Sequence, residues 1–382
     1  MLKYNKQKIL IIISIIVFLK PSNVAYWPAI DAAYKLLKLL VVAVILIDYI
    51  RKSPKVKKND ILLWSVLLIW LISTYRNLHS FGANLQQVLS ILGLQILVKL
   101  LDSKGKIICF LESISVIAKI YVVLELVTIF LNHPLFADAM ERTDRFFLGN
   151  DNYAAFVIIP LCGIMMTYSQ MVNNKIDLKT WFFTIIGFLC FLVPGSVTAI
   201  VAFGMMILCI GFLNGTIIRK LLTIKNIAIA TVIFVFSVVV FNVQDRLGSL
   251  LAFVGKNALN ARETIWPKAV KLISQKPILG WGALTDSQID SYVLYGASHA
   301  HNFILQLLLD IGFVGTILLG MWIYNVMRRN AKIKRKHMYI MQICIACYVF
   351  NSIFDFYLGL IFGWLLLFTY DLIGWYEREK IS

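Results

Sequence analysis

Apolar residues in this chain fall in runs of a dozen to two dozen, without the three- and four-residue spacing that gives a helix one wet face. An α-helix needs about 20 apolar residues to cross the hydrocarbon core of a bilayer. Runs near that length cover residues 9–28, 33–50, 60–75, 85–101, 107–131, 153–170, 181–194, 196–214, 226–243, 303–327, 338–351 and 354–375. The pattern predicts an all-α polytopic membrane protein of about 12 transmembrane helices, with residues 1–382 forming a single integral membrane domain. The pair that meets at Pro194, Gly195 and Ser196 reads either as two crossings or as one re-entrant hairpin. The first run follows a basic N-terminus, but Lys20 and Pro21 stand where signal-peptide cleavage would need small residues, so it is expected to remain as a span.

Only 15% of the residues are charged against 60% hydrophobic, and the formal net charge of +17 follows the loops. Lys and Arg concentrate in cytoplasmic loops of membrane proteins. With the N-terminus inside, the basic loops at Arg51–Lys58, Lys99–Lys106, Lys175–Lys179, Arg219–Lys225 and Arg328–Lys336 and the tail with Arg378 and Lys380 all fall on the same side. Both termini are then cytoplasmic and the chain is expected in the plasma or inner membrane. The charge needs no nucleic-acid partner to explain it.

Two outward segments are too long for turns, 132–152 and 242–302. The longer one is a large extracytoplasmic loop with Arg246, Lys256, Arg262, Lys268, Lys271 and Lys276 against Asp245, Glu263, Asp286 and Asp290. Long loops escape the charge rule, and a basic surface on the outer side asks for an anionic partner such as a lipid-linked phosphate or pyrophosphate. Within the loop, Thr264–Ser274 predicts a short amphipathic helix, with Ile265, Trp266, Ala269, Leu272 and Ile273 on one face and Pro267 near its start. Pro277 and a tight turn through Gly280, Trp281 and Gly282 end it. Its apolar face is expected to rest on the membrane surface or on the helices below.

The loop closes on His299, His301 and Asn302, after which the chain turns apolar at Phe303. Asn302 is placed to cap that helix. On a continuous helix Gly312 and Gly315 share a face with His301, suiting close helix packing, while Asp310 points the other way. Glu112, Lys119 and Glu125 sit inside one apolar run and are read as a network between helices. All six cysteines lie in apolar runs, so the C-x-x-C of Cys344 and Cys347 is read as small packing residues, not as a redox or metal motif.

Taken in order, RETIW from Arg262, the amphipathic helix, Pro277, Gly280-Trp281-Gly282 and then His301-Asn302, nine residues, Gly312-x-x-Gly315-Thr316 resemble the signature of the O-antigen ligase and Wzy-type polysaccharide polymerase superfamily. Arg145 to Ala154, RFFLGNDNYA, is similar to another stretch of that family, with Asp151 where proline is usual. The resemblance covers roughly residues 140–325. Members often carry an arginine after a hairpin like the one at Ser196, and here Val197 stands in its place.

The resemblance implies a membrane glycosyltransferase that moves a glycan from an undecaprenyl-pyrophosphate carrier to a sugar hydroxyl outside the membrane. Such a step needs charge stabilisation at the departing pyrophosphate and a general base for the hydroxyl. His301 and Arg262 are the expected catalytic pair, and Arg246, Arg145, Arg142, His299 and Asn302 the expected substrate-binding residues. No cofactor and no metal is expected, since Asp286 and Asp290 stand without other candidate ligands. The partners implied are the lipid-linked donor, a glycan acceptor, membrane lipid, a chain-length regulator and a flippase. Polymerisation of repeat units into a capsular or exopolysaccharide is the leading reading. Ligation of a finished glycan to a lipid or wall acceptor is the close alternative. A transporter, which would show paired broken helices in two related halves, is the distant one.

Overall fold

The computed structural model describes residues 2–77, 80–101, 103–131, 146–212, 226, 229–230, 232–233, 237, 262–292, 297 and 299–380. Among them the regular structure is helical throughout and no strand occurs. In chain order the helices are α1 (Leu2–Phe18), α2 (Pro28–Lys52), α3 (Lys58–Arg76), α4 (Phe81–Lys99), α5 (Lys104–Phe130), α6 (Asp151–Asn173), α7 (Leu178–Leu192) and α8 (Val197–Gly211), then α9 (Arg262–Gln275), α10 (Asp286–Tyr292), α11 (Phe303–Asn330), α12 (Lys336–Ser352) and α13 (Ile361–Glu379). A 3-10 turn over Ser22–Tyr26 links α1 to α2.

Helices α1 to α8 and α11 to α13 fall on predicted spans, and the remaining span, 226–243, lies for the most part outside the described residues. Length and composition make four of them, α4, α5, α6 and α11, able to cross a membrane, fewer than the twelve crossings the hydrophobic runs predict. Helices α7 and α8 have 15 residues each, a rise of only about 22 Å. That is short of a ~30 Å hydrocarbon core. The apolar run predicted over 354–375 begins as a helix only at Ile361, leaving residues 353–360 as a loop.

The centre of the bundle is α6, whose stretch from Ala154 to Met166 is almost fully buried. A helix that is apolar on every side belongs in such a place, and α5, α7, α8, α12 and α13 all pack on it. Cys344 of α12 lies against Gly163, and all six cysteines are unbridged. At the periphery the pattern inverts: Leu36, Leu40, Val44 and Ile47 of α2 are exposed, an outward apolar stripe of the kind that faces lipid. Amphipathic α9 rests on helices. Ile265, Trp266, Ala269, Leu272 and Ile273 form a second cluster with Leu305 and Leu309 of α11.

Candidate functional site

Helix α11 is broken, and the break builds the site. Gly312 has φ 62° and ψ −170°, a conformation essentially confined to glycine. The prediction that Gly312 sits on a continuous helix face is therefore corrected. A broken helix leaves backbone groups unpaired, which is costly in an apolar interior, and the loop after α9 supplies the partners. Phe313 N donates to Pro277 O at 2.8 Å and Val314 N to Ile278 O at 3.1 Å, while Trp281 N and Gly282 N donate to the carbonyls of Leu309 and Asp310. A side chain at Gly312 would meet the Ile278 carbonyl oxygen at 2.4 Å. The same loop is pinned to the end of α3, where Asn77 Nδ2 donates to Trp281 O at 2.9 Å and Ala283 N to Thr74 Oγ1 at 2.9 Å.

Above the break sits the histidine corner. Asn302 caps α11, its Oδ1 accepting from Ile304 N and Leu305 N at 3.0 and 3.2 Å. Its Nδ2 donates to Ile353 O at 3.1 Å, tying the corner to the loop between α12 and α13. Trp266 of α9 holds the preceding residue, Nε1 donating to Ala300 O at 3.1 Å. Clamped on both sides, His301 adopts φ 50°.

The loop at 353–360 brings Asp355 between the two histidines. His299 Nε2 contacts Asp355 Oδ1 directly, and His301 Nδ1 lies 3.7 Å from the same oxygen. That Nδ1 is buried and has no hydrogen-bond partner, yet the His301 side chain is 24% exposed, so the open part of the ring lies away from the carboxylate. The two imidazoles pack with ring centres 3.8 Å apart, and Tyr357 covers the other side of His299 at 4.0 Å. Arg262, at the start of α9, is buried, and its Nε and Nη2 donate to Phe354 O at 3.1 and 2.8 Å. It thus holds the loop that carries Asp355.

Burial, then the neighbouring His299 and Arg262, against the opposing pull of Asp355, hold His301 down at about 3, so its imidazole is neutral at ordinary pH. Burial works to raise Asp355, but His299, His301 and Arg262 keep the carboxyl at about 2. A neutral imidazole beside a fixed carboxylate can take a proton on its far nitrogen, and the negative charge 3.7 Å from its near nitrogen favours the imidazolium that forms. The ligand atoms of His299, His301 and Asp355 lie within 4.8 Å of one another, and two imidazoles and a carboxylate are a donor set that suits zinc. Here, however, the His299 and Asp355 atoms point at each other and not at a common centre.

Beside the trio is a cavity of about 410 Å³, in the size range of small-ligand sites, lined by His299, Tyr357, Gln306 and Asp310 from one side and by Asn150 and Tyr153 from the other. Gln306 spans the corner, its Oε1 accepting from Ala300 N at 2.8 Å and its Nε2 donating to Asp310 Oδ1 at 2.9 Å. Asp310, predicted to face away from His301, lines this cavity together with His299. Asn150 caps α6 through Tyr153 N at 2.7 Å. Glu125 accepts from Leu148 N at 2.6 Å and so holds the turn before it, a bond to loop backbone where the sequence reading expected a network between helices. Ser196, beside Val197, donates to Asn152 Oδ1 at 3.0 Å and joins the hairpin between α7 and α8 to this turn.

The structure thus brings His299, His301, Asn302 and Arg262 together, while Arg142, Arg145 and Arg246 lie outside the described residues. Asp355 is the residue that sequence reasoning missed. It sits in an aromatic run, FDFYLGL, that passes for the start of a span. The available signal was its cost, since a lone carboxylate at a membrane helix end calls for a partner.

No curated protein matches the chain. A family model described as O-Antigen ligase matches residues 182–320, which take in α7 to α10, the histidine corner and the break in α11 but leave the Asn150 turn outside. The match supports the resemblance read from the motifs: over residues 182–320 the chain is similar to the O-antigen ligase family, whose members include membrane glycan ligases and polymerases.

Proposed function

We propose that this protein is a glycosyltransferase that joins undecaprenyl-pyrophosphate-linked oligosaccharides into a longer surface polysaccharide on the outer face of the membrane. The observation that carries the reading is His301, neutral, in a left-handed backbone conformation, with its buried Nδ1 turned toward Asp355 and the rest of its ring open. In the proposed step an acceptor hydroxyl attacks the anomeric carbon of the donor glycan. The new C–O bond forms as the bond to pyrophosphate breaks, the hydroxyl proton passes to His301, and lipid pyrophosphate leaves with the electron pair. Asp355 holds the imidazolium that results. The cavity beside His299 offers amides, a carboxyl group and aromatic rings, the groups that recognise a sugar. Arg262 is the described cation nearest the trio, and Arg246, Arg145 and Arg142 complete the proposed contact with pyrophosphate.

Ligation to a different acceptor would use the same groups. Transport receives less support, because among the described residues one helix is broken, α11, with no paired counterpart. Purified protein supplied with a lipid-pyrophosphate oligosaccharide separates the three. A ladder of longer lipid-linked products is expected. A single transfer to another acceptor would replace polymerase by ligase, and movement across the bilayer without bond formation would remove the enzyme reading. His301→Ala should abolish product without loss of membrane insertion. Arg262→Ala also removes both bonds to the Phe354 carbonyl, at a cost of about 1–3 kcal/mol, so Arg262→Lys is the informative change for charge.

A further inference from the structure

A second polar centre lies at the opposite end of the bundle. Helices α3 and α11 pack side by side. Ser73, near the end of α3, bonds the loop under the histidine corner, whereas Lys58 begins that helix, about 22 Å away at 1.5 Å per residue. At this far end Lys57 and Lys58 face Arg328, Arg329 and Lys332 across a cleft of about 510 Å³ floored by Asn59 and Asn325. No carboxylate lines it. Arg329 is bound to Asp371 at 3.0 Å on the inner side, but Lys57, Lys58, Arg328 and Lys332 are exposed and enter no ion pair among the described residues. Like charges gathered without a counter-charge repel one another, so the arrangement calls for an anion.

The surface below the cleft says what kind. On α3 the outward residues Ile61, Leu68 and Ile72 are exposed, and on α11 Ile317, Met321 and Tyr324. They form two apolar stripes, one on each helix, leading away from one cationic head. A free inorganic anion would need no stripes, and a single-chain isoprenoid phosphate would cover one. We propose that this cleft binds an anionic diacyl phospholipid, its phosphodiester held between Lys57 and Lys58 on one side and Arg328 and Lys332 on the other, with one acyl chain along each helix. Charge-assisted bonds from lysine and arginine supply the selectivity for the phosphate, and the stripes supply chain burial. The site is independent of the chemistry at His301.

Native mass spectrometry of the full chain in neutral detergent, with equal amounts of dioleoyl phosphatidylglycerol and dioleoyl phosphatidylcholine, tests this. The anionic phosphatidylglycerol should be retained in preference. The triple variant Lys58→Gln, Arg328→Gln, Lys332→Gln should lose at least about tenfold in that retention, the weight of a single charge-assisted bond. Arg328→Lys should keep it, as should Lys104→Gln with Lys336→Gln, which lie in a separate basic cup. Equal retention of both lipids, or unchanged retention by the triple variant, would overturn the proposal. So would displacement of the lipid by millimolar inorganic phosphate, which would show a site for free anion, or preferential binding of a polyprenyl phosphate.

Discussion

Three described residues other than glycine have positive φ: Ser53, Asn174 and His301. The first two follow α2 and α6 in the left-handed position that ends helices. His301 precedes a helix and has no such excuse. The conformation costs of order 1 kcal/mol or more, and the bonds from Trp266 to Ala300 and from Asn302 to Ile353 impose it. What they secure is a ring facing Asp355 with one edge open. If Asp355 orients that ring, Asp355→Asn should lower kcat about 10²-fold, within the range of one general base, and leave KM for the lipid donor unchanged. The pH profile discriminates further. With His301 held at about 3, turnover should stay level as pH falls from 7 to 5, whereas a base of ordinary pKa would lose activity through 6.5. The fold prefers neutral His301, so its contribution to stability is present above 6.5 and is lost as pH falls toward 3. Asp355 contributes above 3.8 and loses its share as pH falls through about 2. Loss of turnover on dialysis against a chelator would instead make the trio a metal site. His301 was legible from its motif and Asn302 from its capping position, whereas Asp355, separated by 53 residues from Asn302, enters the site through tertiary structure alone.

At the scale of elements, the decisive feature is the replacement of helical bonds in α11 by bonds to residues 277–282. The glycines on both sides of this junction are spaced as the motif predicts, but for another reason. Helix periodicity sees Gly312 and Gly315 as one small-residue face, and periodicity holds only while the helix is unbroken. The structure makes Gly312 a backbone switch point against Gly280, whose own side chain would meet Leu309 O at 2.5 Å. Gly315 alone remains a packing residue, under Ile311. Gly312→Ala should therefore destabilise by about 2 kcal/mol or more, combining a glycine-only conformation with displacement of the Ile278 carbonyl, and should lower activity even in the folded fraction because the corner above shifts. Gly320→Ala, in the same helix with open space around it, should be neutral or slightly stabilising. Thermal unfolding of both in detergent checks this, and equal midpoints would show that the break tolerates a side chain.

For the whole molecule, the hydrophobic runs locate nearly all the described helices because burial in lipid and burial in protein both demand apolar residues. The same ambiguity keeps apolar runs from counting crossings by themselves: α7 and α8 are apolar because they pack beside α6, whatever their length. Sidedness is the larger expectation still to be measured. Helices α3 and α11 place the loop under the histidine corner at one end and the basic cleft at the other, so a single experiment orients both. Ile278 is 65% exposed at the first end, and Lys332 is exposed at the second. Five of the native cysteines are buried and the sixth, Cys209, is only partly accessible, so background labelling is low. In intact cells a membrane-impermeant thiol reagent should label Ile278→Cys and leave Lys332→Cys unmodified until the membrane is opened. The reverse pattern would put His301 on the cytoplasmic side, where a donor already carried outward could not reach it, and the proposed transfer would fail with the topology.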